Sequence, residues 1–121
     1  MLTTTTGRGK PAKMNDRIWP IETLPVADLQ DLLAVNVVGT FNCLQQKMRH
    51  TKRGGSIVTC GSQQVRHASG LMGAYAASKN AVRGLTMSAA YEGGAKGIRV
   101  NLVCPCVSLF SLFFPSSVAA F

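Results

Sequence analysis

Three side chains near the middle of the chain have the types and spacing for proton chemistry at an oxygen atom. Tyr75 and Lys79 stand four apart in YAASK, and Ser62 lies thirteen positions before the tyrosine, at the end of GSIVTCGS. On a helix, positions i and i+4 share a face, which brings an ammonium close enough to act on a phenol. A free phenol titrates near about pH 10, and a neighbouring cation favours its phenolate, so proton exchange moves toward neutral pH. A serine just past the C-terminal end of a strand lies where open α/β sheets form their ligand crevice. There its hydroxyl can hydrogen-bond a substrate oxygen shared with the tyrosine. The set suits reduction of a carbonyl or oxidation of an alcohol. Each residue also has a plainer role open to it: Ser62 as a turn cap, Lys79 as a solvated helix residue, and Asn36, upstream in AVNVVGTF, as a partner for local backbone.

The elements that must position these residues are legible around them. Ser56–Cys60 is a short apolar run without polar alternation, which predicts a strand buried on both faces, as in a parallel sheet. After it, small and apolar residues from Ala74 to Ala90 predict a helix that would carry Tyr75 and Lys79, stopped by Gly93-Gly94. Before it, Val26, Leu29, Leu32, Leu33, Val37, Phe41, Leu44 and Met48 recur three or four apart and predict an amphipathic helix over 26–50. Pro25 suits its entrance, while Gly39 and Thr40 weaken its middle. A second strand is predicted over 97–104, ended by Pro105. Helix, strand, helix, strand is the grammar of βαβ units, so the fold class is α/β.

Composition narrows the field of functions. The 121 residues leave room for one ordinary domain. A hydrophobic content of 46% against 15% charged residues suits a filled interior rather than a disordered chain. The net charge of +8 could attract polyanions, but the basic residues lie apart. Arg8, Lys10, Lys13 and Arg17 sit in a polar arm, and Lys47, Arg49, Lys52 and Arg53 sit where the first helix ends, a place its dipole favours for cations. Without a basic stripe interleaved with aromatics, nucleic acid is not expected as a partner. Cys43, Cys60, Cys104 and Cys106 fall in or beside apolar runs and, with His50 and His67, complete no metal-ligand spacing; they read as buried, reduced thiols. No apolar signal segment opens the sequence, and the expected location is cytoplasmic. The final VSLFSLFFPSSVAAF is too short, and broken by Pro115, to cross a bilayer, so no membrane role is expected.

Taken in order, AVNVVGTF, GSIVTCGS, YAASK and GIRVNLVCP make residues 18–105 resemble the short-chain dehydrogenase/reductase family almost continuously. The resemblance implies hydride transfer between NAD or NADP and a small carbonyl or alcohol substrate. It makes Tyr75 the general acid or base and Ser62 the group that orients the substrate oxygen. Lys79 would hold the nicotinamide ribose and favour the phenolate, and Asn36 would support a proton-relay water through its helix backbone. Tyr75, Lys79, Pro105 and Val107 would flank the cofactor.

The chain departs from the family at both ends. The TGxxxGxG fingerprint, whose backbone amides cradle the pyrophosphate at a helix N-terminus, is not matched: Thr6-Gly7-Arg8-Gly9 runs into Pro11 with no strand before it. MNDRI stands where the family has an NAG turn, Cys106 follows Pro105 where glycine is usual, and Phe110 stands where a threonine is common. The expectation is therefore a partial, Rossmann-like doubly wound parallel sheet lacking its N-terminal cofactor-binding units. It consists of a flexible arm over 1–17, a partial catalytic domain over 18–106 and an atypical apolar tail over 107–121. Cofactor binding is expected to be weak or absent. The alternative function is a non-catalytic interaction module that pairs with a related subunit, or with a copy of itself, through the helices over 26–50 and 74–90.

Overall fold

The structure, a computed structural model, describes residues 19–105. The predicted arm over 1–17 and tail over 107–121, with Cys106, Val107 and Phe110, lie outside the described residues. The chain runs through helix α1 (Val26–Leu33), a π-helical turn (Ala34–Val38) and helix α2 (Gly39–His50). Strand β1 (Ser56–Cys60), a 3-10 turn (Gln63–Val65), helix α3 (Gly73–Ala95) and strand β2 (Arg99–Val103) follow.

The two strands pair in parallel, with Ser56 opposite Arg99 and Cys60 opposite Val103. Parallel neighbours need a crossover, and α3 supplies it, so β1, α3 and β2 form one βαβ unit. Its core is small. Ile57, Val100 and Ile98 from the strand side meet Leu44 of α2 and Ala89 of α3, with Met48, Leu85 and Ala90 packed around them.

Position for position, β1 is the strand expected, but its burial differs from the expectation. Ile57 and Thr59 are buried, whereas Ser56, Val58 and Cys60 are exposed, Val58 by 58%. Successive strand residues face opposite ways, and both α2 and α3 pack on the Ile57 side. Among the described residues nothing covers the other face. The same geometry corrects the reading of the thiols as buried: Cys60 and Cys104 are exposed and Cys43 is half-buried.

The helix expected over 26–50 follows that path but changes register in its middle. Through Ala34–Val38 the winding widens, and the Gly39 amide reaches back five residues to the Ala34 carbonyl. Such π-turns concentrate at functional positions, and this one contains Asn36. Its apolar stripe is only partly covered, for Leu44 alone in α2 is buried while Val26 and Phe41 remain exposed.

α3 runs five residues past the predicted Ala90, and Gly93-Gly94 does not stop it. Both lie in its last turn, where Gly93 lets β2 approach closely; a Cβ there would stand 3.0 Å from the Ile98 carbonyl oxygen. The stop is Gly97, at φ +67°. The Gly97 amide donates to the Gly94 carbonyl at 3.0 Å and the Ile98 amide to the Gly93 carbonyl at 2.8 Å. This bond pair closes a helix through a left-handed residue, which glycine adopts without a Cβ clash. Consequently β2 starts at Arg99, two residues later than expected.

Candidate active site

The loop after β1 is built by backbone pairing that carries the strand ladder one step further. The Gly61 amide donates to the Val103 carbonyl at 2.7 Å and the Gln63 amide to the Pro105 carbonyl at 3.2 Å. Ser62 between them is buried and extended, and its Oγ accepts the Gln64 amide at 3.3 Å, so it caps the 3-10 turn. Acceptance there leaves the hydroxyl hydrogen of Ser62 able to donate to a bound oxygen.

Gln64, which sequence reasoning passed over, shapes the segment leading to Tyr75. Although polar, it is buried: its side chain donates from Nε2 to Ser69 Oγ at 2.8 Å and accepts the Ser69 amide at Oε1, at 2.7 Å. Farther along, Leu71 holds a positive φ of 65°, rare for a non-glycine residue, and its carbonyl accepts the Trp19 amide at 3.0 Å. The indole of Trp19 in turn donates to Asp28 Oδ2 at 3.0 Å, tying this segment to the first turn of α1.

Tyr75 and Lys79 lie in the first turns of α3, both half-buried. The Lys79 ammonium donates to the Cys60 carbonyl at 3.1 Å and stands 5.8 Å from the centre of the Tyr75 ring. Within about 6 Å of an aromatic centroid a cation is attracted to the ring face. Lys79 thus joins the end of β1 to the tyrosine. Among the described residues Ser62 is hydrogen-bonded to neither Tyr75 nor Lys79, but it follows the lysine's acceptor by two residues.

Asn36 reaches the same helix from the π-turn. Its Nδ2 donates to Ser78 Oγ at 2.9 Å, and Ser78 Oγ donates to the Tyr75 carbonyl at 2.8 Å. Ser78 was not singled out from the sequence. The one available signal was its place three residues after Tyr75, on the same side of the helix. Pro105 is exposed two residues past the end of β2, and Val107 lies outside the described residues.

A nicotinamide cofactor needs donors for its ribose and for its pyrophosphate, and the described residues hold one candidate for the first, Lys79. Of the three hydrogens on the Lys79 ammonium one is directed to Cys60, leaving two for ribose hydroxyls. The glycine-rich turn that would hold the pyrophosphate is not among the described residues. No group of three or more His, Cys, Asp or Glu side chains suited to a metal occurs among them, and no described helix is long and apolar enough to cross a membrane.

Comparisons with known proteins bear on the family and fold of the chain. The family profile for short chain dehydrogenases matches residues 11–111. The chain is 41% identical over 87 residues to the short-chain dehydrogenase/reductase ABA4 of Pyricularia oryzae, covering 68% of this chain and 32% of that protein. A dehydrogenase/reductase from Sinorhizobium meliloti superposes with a TM-score of 0.69 at 37% identity, over 74% of this chain and 36% of that one. A short chain dehydrogenase from Burkholderia cenocepacia, solved in complex with NADP, gives 0.68 at 37% identity, over 74% and 37%. The chain spans about a third of the length of these relatives. Its βαβ unit with covering helices is part of a Rossmann-like fold. With the profile matching most of its length, the chain belongs to the short chain dehydrogenase family.

Proposed function

We propose that residues 18–106 form the catalytic part of an NAD(P)-dependent oxidoreductase acting on a small carbonyl or alcohol. The observation that carries this reading is the placing of the Lys79 ammonium between the Cys60 carbonyl and the Tyr75 ring. It sets the Tyr75 ring beside an ammonium anchored at Cys60, two residues before Ser62.

The chain's own residues have distinct tasks in this reading. Tyr75 gives its hydroxyl proton to the substrate oxygen in reduction and takes it back in oxidation. Ser62 donates its free hydroxyl hydrogen to the same oxygen and fixes its position. Lys79 holds ribose hydroxyls with its two remaining hydrogens. Asn36 supports the proton path from the π-turn, and Pro105 lies toward the nicotinamide side; Val107, outside the described residues, is carried only by the family resemblance. A nicotinamide cofactor, when bound, supplies or accepts the hydride. NADP is named in one structural relative, and this chain is read as using NAD or NADP, weakly, because the pyrophosphate turn is not matched in its sequence.

The test is turnover of a carbonyl panel by the full chain at millimolar NADH and NADPH, with calorimetric titration of both. Slow cofactor oxidation that depends on the carbonyl, with affinity weaker than submillimolar, is the expected result. No turnover with any pair would reject the enzyme reading, and submillimolar affinity would reject the idea of a missing pyrophosphate site.

A second reading, an interaction module pairing with a related subunit or a second copy, is favoured by the groove between α2 and α3. Phe41, Leu44, Met48 and Leu85 line it, and Phe41 is 43% exposed. Sedimentation of the same sample separates the two readings. A defined dimer without turnover supports the module, and a monodisperse monomer of 12.9 kDa rejects it.

A further inference from the structure

We propose that Ser78 is a positioning residue for Tyr75, the middle of a hydrogen-bond chain of fixed polarity running from the Asn36 carboxamide to the Tyr75 carbonyl. Ser78 is wholly shielded from solvent. The polarity follows from counting donors. The Tyr75 carbonyl can only accept, so the single hydroxyl hydrogen of Ser78 goes to it, at 2.8 Å. Ser78 Oγ must then accept from Asn36 at 2.9 Å, and only the amide end of that side chain can donate.

The chain has a mechanical consequence. Lys79, the next residue, pins α3 to the end of β1 through the Cys60 carbonyl, while Ser78 pins the same turn to the π-turn. Tyr75 is therefore located from two sides, by two elements far apart in sequence. Because the Asn36 amide is committed to Ser78, the contribution of Asn36 includes holding the tyrosine's helix in place. This inference rests on Tyr75 being the proton-transferring residue.

Its cost on removal should fall on position rather than stability. In Ser78→Ala the Tyr75 carbonyl keeps the helical amide four residues on, alanine favours helix, and the half-buried Asn36 can turn to water. Asn36→Asp tests the polarity at nearly constant shape, since a carboxylate offers Ser78 no donor. Ser78→Thr keeps the hydroxyl.

The experiment compares the full chain with Ser78→Ala, Asn36→Asp, the double variant and Ser78→Thr. The readouts are the melting temperature, the Asn36 side-chain amide and Tyr75 χ1 couplings by NMR, and kcat and KM with NADPH and a carbonyl. Ser78→Ala and Asn36→Asp are each expected to lower kcat by about ten- to a hundredfold, the scale of a small misplacement, with KM little changed. The double variant should be no slower than the worse single one, and Ser78→Thr should restore most of the rate. The Asn36 amide should shift in Ser78→Ala, and Tyr75 should pass from one rotamer to several while the melting temperature holds. An unmoved Asn36 amide or a single Tyr75 rotamer in Ser78→Ala overturns the proposal, as does full kcat in that variant. If the parent chain turns nothing over, the enzyme reading fails alone, and the NMR comparison still decides the role of Ser78.

Discussion

Tyr75→Phe is expected to lower turnover by about two to four orders of magnitude, the usual contribution of a positioned acid or base, without unfolding the chain. The substitution removes one oxygen and keeps the ring. The face that attracts the Lys79 ammonium therefore survives, and so does the lysine's bond to the Cys60 carbonyl. Tyr75 is half-buried, so losing its hydroxyl strands no deeply buried partner. Single-turnover rates with NADPH and a carbonyl, read beside the circular dichroism of both chains, separate chemistry from folding. A phenylalanine variant that keeps the parent rate would remove the mechanism, because phenylalanine has no proton to give.

The largest expected loss of stability comes from Ile57→Ala, about 2–5 kcal/mol by the usual cost of deleting buried methyl groups and leaving a cavity. Ile57 is 2% exposed and stands in a core with Leu44, Ala89, Ile98 and Val100. Among the described residues, so few buried apolar side chains leave little to close over the gap. Against a typical net stability of about 5–15 kcal/mol, the loss is enough to populate the unfolded chain. Because Ile57 lies on β1, which ends at Cys60 two residues before Ser62, fraying of β1 also loosens the candidate site. Urea unfolding of both chains, followed by circular dichroism, gives the difference directly. A midpoint shift worth less than about 1 kcal/mol would show that this strand is not the centre of the core.

The pattern of apolar residues was enough to locate β1, because five residues without charge between two glycine turns have few alternatives. It also located α3 and the Tyr75–Lys79 pair, since a spacing of four on a helix is local geometry and needs no neighbour. The order of AVNVVGTF, GSIVTCGS, YAASK and GIRVNLVCP was enough for the family, which the match over residues 11–111 bears out.

Tertiary structure decided what fills the inner face of α3. That face includes Ser78 and Thr86 beside Ala74, Val82 and Ala89, and a hydrophobic count passes over both polar residues. They are buried because partners distant in sequence satisfy them: Asn36 reaches Ser78, and Thr59 meets Thr86 at 2.7 Å. A buried hydroxyl is tolerated only when hydrogen-bonded, and which distant partner reaches it is set by packing. The same holds for Gln64, whose buried amide organises the turn before Tyr75. The end of α3 was misread for a related reason. Two adjacent glycines resemble a stop, but the left-handed residue that closes the helix is Gly97, chosen where Ile98 must turn into the core. Whether β1 is covered on one face or two was not legible either, because alternation describes a strand's sides, whereas their covering depends on which helices pack there.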